Sequence, residues 1–222
     1  MQTGMTDKVQ AMNLTPVSRE TEGRLDVLVA VLERWQRIKN LVSGATLNEV
    51  WVRHVSDSLQ LLRYASAEVS PNEVIPEGLR WLDLGSGGGF PGLVIAAAGN
   101  EHRLNEVILV ESNGRKCAFL REAAREMGIP VTVLHERIED VLADFSKQID
   151  VVSARALAPL PQLVNWTYKL LTKGAVGLFP KGQTLTNELT ETAKCWRLDY
   201  TIHNSLTGPT GRILRVTGAM PV

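Results

Sequence analysis

Cysteine is scarce in this sequence of 222 residues, which contains only Cys117 and Cys195. The two lie far apart and in no C-x-x-C arrangement, so neither a disulfide framework nor a thiolate metal site is indicated, and we predict no bound metal. So few cysteines are typical of proteins from a reducing compartment. We therefore expect a cytoplasmic protein.

An excess of charge of either sign is also missing, because 24 Lys and Arg balance 24 Asp and Glu. This balance excludes a nonspecific nucleic-acid binder, which is expected to be basic overall. The charge is nevertheless uneven along the chain, with net values of −2 for residues 1–79, −3 for residues 80–146 and +5 for residues 147–222. A polyanion partner would have to meet a local basic patch, for which the last third is the candidate.

Long hydrophobic runs are absent as well. No apolar run approaches the roughly 20 residues that span a bilayer, and the N-terminal residues lack the apolar stretch of a secretory signal, so we expect no membrane association. Hydrophobic residues still make up 44% of the chain, which is enough for a substantial core. Length and composition favour one large soluble domain with a small addition.

The first third of the chain predicts helices. Residues 1–17 are polar and aperiodic, and we expect a flexible tail there. Apolar residues then recur every three or four positions from Ser18 to Leu41 and from Asn48 to Ala67, which predicts two amphipathic helices before a break at Ser70–Gly78. The predicted divisions are the tail (1–17), an N-terminal helical extension (18–70) and a larger domain (71–222).

After residue 79, short apolar runs alternate with helical patterns. Fully apolar strands joined by helices favour a parallel sheet covered on both faces, so we predict a doubly wound α/β domain. No helix separates the last two strands, which we expect to pair antiparallel. The predicted strands are Arg80–Leu84, Val107–Val110, Val131–Leu134, Asp150–Ser153, Ala175–Phe179, Leu198–His203 and Arg212–Val216, and the predicted helices are Pro91–Ala98, Lys116–Met127, Ile138–Phe145, Pro161–Leu171 and Thr186–Cys195.

A glycine loop, WLDLGSGGGFPG, follows the first strand and leads into a helix. One interpretation uses Gly87, Gly89 and Gly92 as G-x-G-x-x-G, with Glu111 near the end of the next strand to bind a ribose diol. This spacing indicates a dinucleotide site, as in an NAD-dependent oxidoreductase. A structural tight turn without a ligand is a third possibility.

The same loop, taken as D-x-G-x-G-x-G from Asp83 through Gly85 and Gly87 to Gly89, resembles the cofactor loop of class I S-adenosylmethionine-dependent methyltransferases. That cofactor carries an ammonium group and a ribose but no pyrophosphate. Asp83 is placed to help bind the ammonium group, and Glu111 is placed to accept hydrogen bonds from the diol.

The remaining motifs resemble the bacterial RsmG family, also known as glucose-inhibited division protein B, over nearly the whole chain after the tail. Members methylate N7 of a guanine in the 16S ribosomal RNA of the small subunit. The resemblance rests on RWQRIKNLVS (Arg34–Ser43), VRHVSDSL (Val52–Leu59), the glycine loop, VESNGRKCAFLRE (Val110–Glu122), ERIED (Glu136–Asp140), VVSARALAPL (Val151–Leu160) and FPKG (Phe179–Gly182).

The resemblance implies S-adenosylmethionine as the cofactor and a class I methyltransferase (Rossmann-like) fold. It places cofactor contacts on Gly85, Phe90, Ile138, Glu139 and Arg155. Guanine N7 has a lone pair and no proton, so methyl transfer to it needs no general base, and we assign no catalytic side chain.

Four residues are candidates for RNA or substrate contact: His54, Lys181, Arg212 and Arg215. Each has an alternative structural interpretation, namely a helix-surface network for His54, a solvated side chain for Lys181 and an exposed strand face for the two arginines. The expected partner is 16S rRNA or the small ribosomal subunit, with the protein as a monomer. A noncatalytic ribosome-associated module is the remaining alternative.

Overall fold

A seven-stranded sheet forms the centre of the computed structural model, which describes residues 2–37, 41–65, 78–102 and 104–222. Its strands are β1 (Arg80–Leu84), β2 (Glu106–Val110), β3 (Thr132–Leu134), β4 (Val151–Ala154), β5 (Val176–Lys181), β6 (Trp196–Asn204) and β7 (Arg212–Pro221). Their order across the sheet is β3-β2-β1-β4-β5-β7-β6. The first five strands are parallel, and β7 is antiparallel to β5 and β6, which confirms the predicted fold class.

Helices cover both faces of this sheet. They are α1 (Gln2–Leu14), α2 (Arg19–Gln36), α3 (Asp57–Leu59), α4 (Gly92–Ala97), α5 (Gly114–Met127), α6 (Ile138–Ala143), α7 (Leu160–Leu171) and α8 (Leu185–Thr192). Successive strand residues point to opposite faces, so Trp81 packs in the layer of α2, α4 and α5, and Leu82 packs in the layer of α6, α7 and α8. Among the described residues, no helix is both long and apolar enough to cross a bilayer.

The predicted flexible tail is wrong for residues 2–14, which form helix α1. Asp7 is buried, and its carboxylate accepts hydrogen bonds from the backbone N–H groups of Trp51 (2.8 Å) and Val52 (3.3 Å). Lys8 forms an ion pair with Asp26 at 2.7 Å. Because these contacts join α1 to later segments, tertiary packing stabilises a helix that its weak apolar pattern does not predict.

The second predicted helix is helical but not a regular α-helix. Residues 44–64, called the mixed helix below, comprise 3₁₀ turns at Gly44–Glu49, a π-helical turn at Trp51–Ser56, α3, and 3₁₀ turns at Gln60–Tyr64. The Asp7 carboxylate accepts hydrogen bonds from two N–H groups of the mixed helix. In an uninterrupted α-helix these groups would donate to carbonyls one turn earlier. A local irregularity of this kind is common where a helix serves a site.

Several predictions concern residues outside the described ranges. They are the last turn of the first predicted helix at residues 38–40, the end of the second at residues 66–67, the break at Ser70–Gly78 apart from Gly78, and the boundary between the predicted divisions 18–70 and 71–222. The separation of an N-terminal helical extension from a larger domain remains a prediction.

Candidate functional site

The glycine loop connects β1 to α4 at the carboxyl end of the sheet. The N–H groups of Gly85 and Ser86 donate to the carbonyl of Val110 on β2, at 2.9 and 3.1 Å. Gly85 has φ +67°, a conformation that favours glycine, and a Cβ there would come within 2.5 Å of Leu157 Cδ1, so that side chain would have to shift. The loop backbone is therefore fixed against β2 and the turn after β4.

Glu111 lies directly after β2 and contacts this loop. Its Oε2 accepts a hydrogen bond from the N–H of Gly87 at 3.0 Å, and its Oε1 accepts one from the N–H of Asn113 at 2.8 Å. The side chain is largely buried, with 7% of the residue exposed. The structure thus brings together Glu111 and the glycine loop, two features that the sequence predicted to act on one ligand.

Asp83 forms the centre of a buried polar chain. Trp81 Nε1 donates to Ser153 Oγ at 2.8 Å, and Ser153 Oγ donates to Asp83 Oδ1 at 2.7 Å. Asp83 Oδ2 accepts from the N–H of Gly92 at 3.2 Å. Burial raises the pKa of Asp83 to about 6, against the lowering effect of these donors.

The predicted ammonium contact of Asp83 is not supported by its position. The residue is fully buried, and its carboxylate is enclosed by Ser153 and the start of α4. Asp83 instead links β1, β4 and the start of α4, so it positions the loop. The sequence marked the aspartate through its place before the glycines but gave no signal for its link to Trp81.

Ile138 and Glu139 open α6, after the neighbouring strand β3. Ile138 is buried in the layer of α6, α7 and α8, whereas Glu139 is exposed. Because β3 and β2 are parallel neighbours, the start of α6 and Glu111 both lie at the carboxyl ends of the strands. Ligands of doubly wound sheets bind at this edge, so both residues remain candidates for cofactor contact.

Arg155 follows β4 and is bound by the mixed helix. Its Nε lies 3.2 Å from Asp57 Oδ2, and its Nη2 donates to the carbonyl of Arg53 at 2.8 Å and to His54 Nδ1 at 2.9 Å. Nη1 is buried and has no hydrogen-bond partner among the described residues. Burial lowers the pKa of Arg155, which the charge of Asp57 opposes.

His54 lies between two of the predicted cofactor residues. Its ring stacks on Phe90 with centroids 4.9 Å apart, and its Nδ1 meets Arg155. Only 8% of the residue is exposed, and its ring takes part in a hydrogen-bond network with Arg155 and Thr46, which agrees with the structural interpretation; contact of His54 with RNA or substrate stays a prediction. Burial, together with the charges of Arg155 and Arg53, lowers its pKa to about 3, so the imidazole is neutral.

A cleft of about 660 Å³ lies beside Arg155, at the carboxyl ends of β4 and β5. It is lined by four segments that are distant in sequence. They are Arg53 and Asp57 of the mixed helix, the turn after β4 from Arg155 to Pro159, the end of β5 with Lys181 followed by α8 with Glu188, and the β6–β7 loop from Ser205 to Arg212. The glycine loop does not line the cleft. The loop and Arg155 follow the paired strand residues Leu84 and Ala154, and His54 contacts both Arg155 and Phe90 of the loop.

The predicted RNA contacts differ in their position relative to this cleft. Arg212 lines it, and its Nη1 donates to the carbonyls of Pro209 (2.9 Å) and Gly211 (2.7 Å). Lys181 also lines it, but its Nζ is paired with Glu188 Oε2 at 2.7 Å and only 9% of the side chain is exposed. Lys181 therefore anchors α8 to the cleft wall, and Arg212 remains a candidate for a phosphate.

Arg215 does not fit its predicted role. It is buried, with 5% of the residue exposed, and its Nε donates to the carbonyl of Tyr64 at 3.2 Å. An arginine in this position stabilises the contact between β7 and the mixed helix. The alternation of Arg212, Ile213, Leu214 and Arg215 suggested one exposed face, but β7 is covered on both faces at this point.

The sequence did not identify Arg53 or Asp57 as site residues. The side chain of Arg53 is exposed at the cleft and has no ion-pair partner among the described residues. Asp57 Oδ1 accepts from Gln60 Nε2 (2.9 Å) and Thr207 Oγ1 (2.7 Å). The helical spacing of His54 and Asp57 was visible in the sequence, but their contact with Arg155 depends on tertiary structure.

In the described ranges, no group of side chains is suited to hold a metal ion.

Comparison with solved structures agrees with this architecture. Cofactor-bound Rv0187 from MTB superposes with a TM-score of 0.58 at 16% identity, covering 88% of this chain and 89% of that one. A variant of MtNAS in complex with S-adenosylmethionine superposes with a TM-score of 0.54 at 14% identity, covering 88% of this chain and 72% of that one. At these identities the similarity establishes the fold.

Comparison of sequences is more specific. A family profile described as GidB, rRNA small subunit methyltransferase G, matches residues 22–214. The "Ribosomal RNA small subunit methyltransferase G" of Methylorubrum populi is 55% identical over 201 residues, which are 90% of each chain. That of Rhodopseudomonas palustris strain HaA2 is 49% identical over 210 residues, covering 95% of this chain and 84% of the relative. The glycine loop joined to Glu111, the arginine after β4 and these matches together show that the chain belongs to the rRNA small subunit methyltransferase G family.

Proposed function

We propose that the protein transfers the methyl group of S-adenosylmethionine to N7 of a guanine in 16S ribosomal RNA. Membership of the family supports an S-adenosylmethionine-dependent rRNA methyltransferase, and the base and the RNA are the finer part of the proposal. The observation that carries it is the position of Arg155, which lines the cleft and is linked to Phe90 of the glycine loop through His54.

The residues of the loop fit such a cofactor. A Cβ on Gly87 would meet only the carbonyl oxygen of Gly85, at 3.6 Å, so a ligand can approach the backbone there, and the Glu111 carboxylate beside it can accept hydrogen bonds from a ribose diol. Phe90 of the same loop is buried, and its ring stacks on His54. The cofactor supplies an electrophilic methyl group on a sulfonium, and the chain contributes binding and orientation.

The chemistry of guanine N7 explains why the site has no evident general base. N7 attacks through a lone pair and loses no proton, so catalysis requires alignment of donor and acceptor and exclusion of water. His54 is neutral and bonded on both ring nitrogens, and Asp83 is fully buried. Neither is placed to accept a proton from a nucleotide, which agrees with catalysis by positioning.

The oxidoreductase alternative is disfavoured by the start of α4. A dinucleotide pyrophosphate binds to free N–H groups at a helix N-terminus. Here the N–H of Gly92 donates to Asp83 Oδ2, so an acidic group already occupies that place. The family match likewise disfavours the noncatalytic module. We further propose that the substrate belongs to the small subunit and that the protein acts as a monomer in the cytoplasm.

The test is methylation of undermethylated small subunits with labelled S-adenosylmethionine. We expect label in 16S rRNA at a single guanine, and mapping of the modified base identifies N7. Calorimetry with S-adenosylhomocysteine and with NAD(H) should give binding of the first only. Label confined to another RNA, or to another guanine atom, would contradict the finer proposal, and tight NAD(H) binding alone would restore the oxidoreductase.

A further inference from the structure

The orientation of Arg155 is set by one turn of the mixed helix. Asp57 binds Nε at 3.2 Å, while the carbonyl of Arg53 and the ring of His54 bind Nη2 at 2.8 and 2.9 Å. These contacts fix the plane of the guanidinium, because they engage two of its three nitrogens. The third nitrogen, Nη1, is buried without a partner in the described part of the chain, which is costly unless a ligand supplies an acceptor.

The contact with Arg155 determines the tautomer of His54. A guanidinium only donates, so Nδ1 must accept and the proton of the neutral ring must lie on Nε2. Nε2 then donates to Thr46 Oγ1 at 2.8 Å, and Thr46 Oγ1 donates to the carbonyl of Ser43 at 3.0 Å. The ring is therefore fixed by hydrogen bonds at both nitrogens and by stacking on Phe90.

Asp57 is also fixed by hydrogen bonds, one of which comes from the β6–β7 loop. While Oδ2 faces Arg155, Oδ1 accepts hydrogen bonds from Gln60 and from Thr207 of the β6–β7 loop. Gln60 Oε1 also accepts from the N–H of Leu206 at 2.9 Å. The mixed helix thus connects a loop of the cleft with the arginine that borders the glycine loop.

We propose that His54 and Asp57 are positioning residues for methyl transfer, which hold Arg155 so that Nη1 meets an acceptor oxygen of a bound ligand. This inference rests on the proposed function. The acceptor belongs either to the cofactor or to the target nucleotide, and the two sources share the same hydrogen-bond chemistry. The N-terminal helical segment is then part of the transfer site in addition to any role in binding RNA.

The experiment compares two substitutions of His54. His54→Phe keeps an aromatic ring against Phe90 but removes the acceptor at Nδ1, whereas His54→Asn places an amide oxygen near that position. We expect His54→Phe to lower kcat/KM for small-subunit methylation at least about tenfold, with His54→Asn recovering most of the loss. Melting temperatures report any general loss of folding.

A matched control is His203→Phe, because His203 also stacks on an aromatic ring, that of Tyr64 at 4.3 Å, but lies on β6. We expect wild-type kinetics for this variant. Asp57→Asn should lower kcat/KM in the same way as His54→Phe. In the background Arg155→Ala, neither substitution should reduce the rate further, because both act through the same arginine.

The Kd for the cofactor product and the KM for the subunit, measured separately, identify which ligand supplies the acceptor oxygen. A rise in the Kd of S-adenosylhomocysteine for His54→Phe assigns the acceptor to the cofactor, and a rise in KM for the subunit with unchanged Kd assigns it to the nucleotide. Wild-type rates in His54→Phe, an Asn variant no better than the Phe variant, or additive losses in the Arg155→Ala background would each overturn the positioning role. A wild-type protein that leaves 16S rRNA unlabelled would overturn the proposed function itself.

Discussion

The glycine loop and the cleft differ in how the chain builds them. The loop occupies one short segment after β1, and its main partner, Glu111, comes from the next strand. The cleft collects residues from the mixed helix, from the turns after β4 and β5, and from the β6–β7 loop. The difference teaches that the proposed cofactor side of this site is encoded locally, whereas the proposed substrate side depends on the folded sheet.

The two regions also differ in charge. Glu111 lies beside the glycine loop, whereas the cleft is lined by four cations, Arg53, Arg155, Lys181 and Arg212, and by two anions, Asp57 and Glu188. An acidic surrounding suits a cationic sulfonium, and a basic one suits the phosphates of RNA. Variants that change one ligand's affinity without the other's would sharpen this division, and variants that change both would break it.

The largest effect is expected from Arg155→Ala, since Arg155 borders both regions. Removal of the guanidinium leaves the half-buried Asp57 without its ion-pair partner and removes the donor at Nη1. We expect the rate of methyl transfer to fall by about 100-fold or more, with Arg155→Lys recovering little because an ammonium cannot make the forked contacts. Single-turnover kinetics measure this.

The control for that variant is Arg197→Ala, on the exposed edge strand β6. It removes the same charge from the protein at a distance from the cleft, and we expect its rate to equal that of the wild type. An Arg155→Ala protein with more than half the wild-type rate would show that the two regions do not communicate through this residue.

Glu111→Gln is expected to have the next largest effect, confined to the cofactor side. The neutral amide is a weaker acceptor for hydroxyl groups and for the N–H of Gly87. We expect the Kd for S-adenosylhomocysteine to rise by about tenfold to 100-fold, with RNA affinity unchanged. Calorimetry measures the first and filter binding the second, and the exposed Glu136→Gln is the control. Equal cofactor affinity in both variants would remove Glu111 from the site.

Arg53→Ala and Arg212→Ala should act on the cleft alone. Each removes a cation from its lining, so RNA affinity should fall several-fold at physiological salt, and the slope of log K against log salt should decrease by about one per arginine. The Kd for the cofactor should not change. Lys194→Ala, on an exposed ion pair, serves as the control. A loss of RNA affinity without any change in the salt slope would argue against phosphate contacts.

The smallest effect concerns stability and its dependence on pH. Because the folded pKa of Asp83, about 6, lies above its ordinary value, the folded state holds the proton more tightly than the unfolded state. The contribution of Asp83 to stability is therefore greatest below pH 4 and decreases as the pH rises to about 6, by on the order of 1 to 3 kcal/mol. Melting curves of wild type and Asp83→Asn, recorded from pH 4 to 8, measure it.

We expect the difference in melting temperature between the two proteins to change by a few degrees between pH 4 and 6 and to be constant above. The variant cannot ionise at this position, so any constant offset reflects the altered hydrogen bonds to Ser153 and Gly92. A difference independent of pH throughout this range would show that Asp83 titrates normally.

Much of the fold could be predicted because its signals are local. The apolar strands before the glycine loop and before Glu111, and the helices between them, follow from periodicity within short windows. The loop itself is specified by residues that no other conformation requires, such as Gly85 with its positive φ. For the same reason, the pairing of Glu111 with Gly87 could be expected from the sequence.

The predictions that failed concern residues whose environment is set by distant parts of the chain. The sequence predicted Arg215 to be a surface arginine, but its Nε donates to the carbonyl of Tyr64. Asp83 looked accessible because the sequence gave no sign of Ser153 and Trp81 around it. The helix α1 carries too weak an apolar pattern to be recognised, since Asp7 and Lys8 stabilise it through contacts with later helices.

The contacts of helix α1 predict what happens when the first residues of the chain are removed. The sequence offers methionines at positions 1, 5 and 12, and synthesis from Met12 would omit both Asp7 and Lys8. The N–H groups of Trp51 and Val52 would then lose their carboxylate, at the entrance to the turn that holds Arg155. A shortened protein with every recognised motif intact would thus be expected to methylate poorly, and a fusion tag joined at Met5 would keep both side chains.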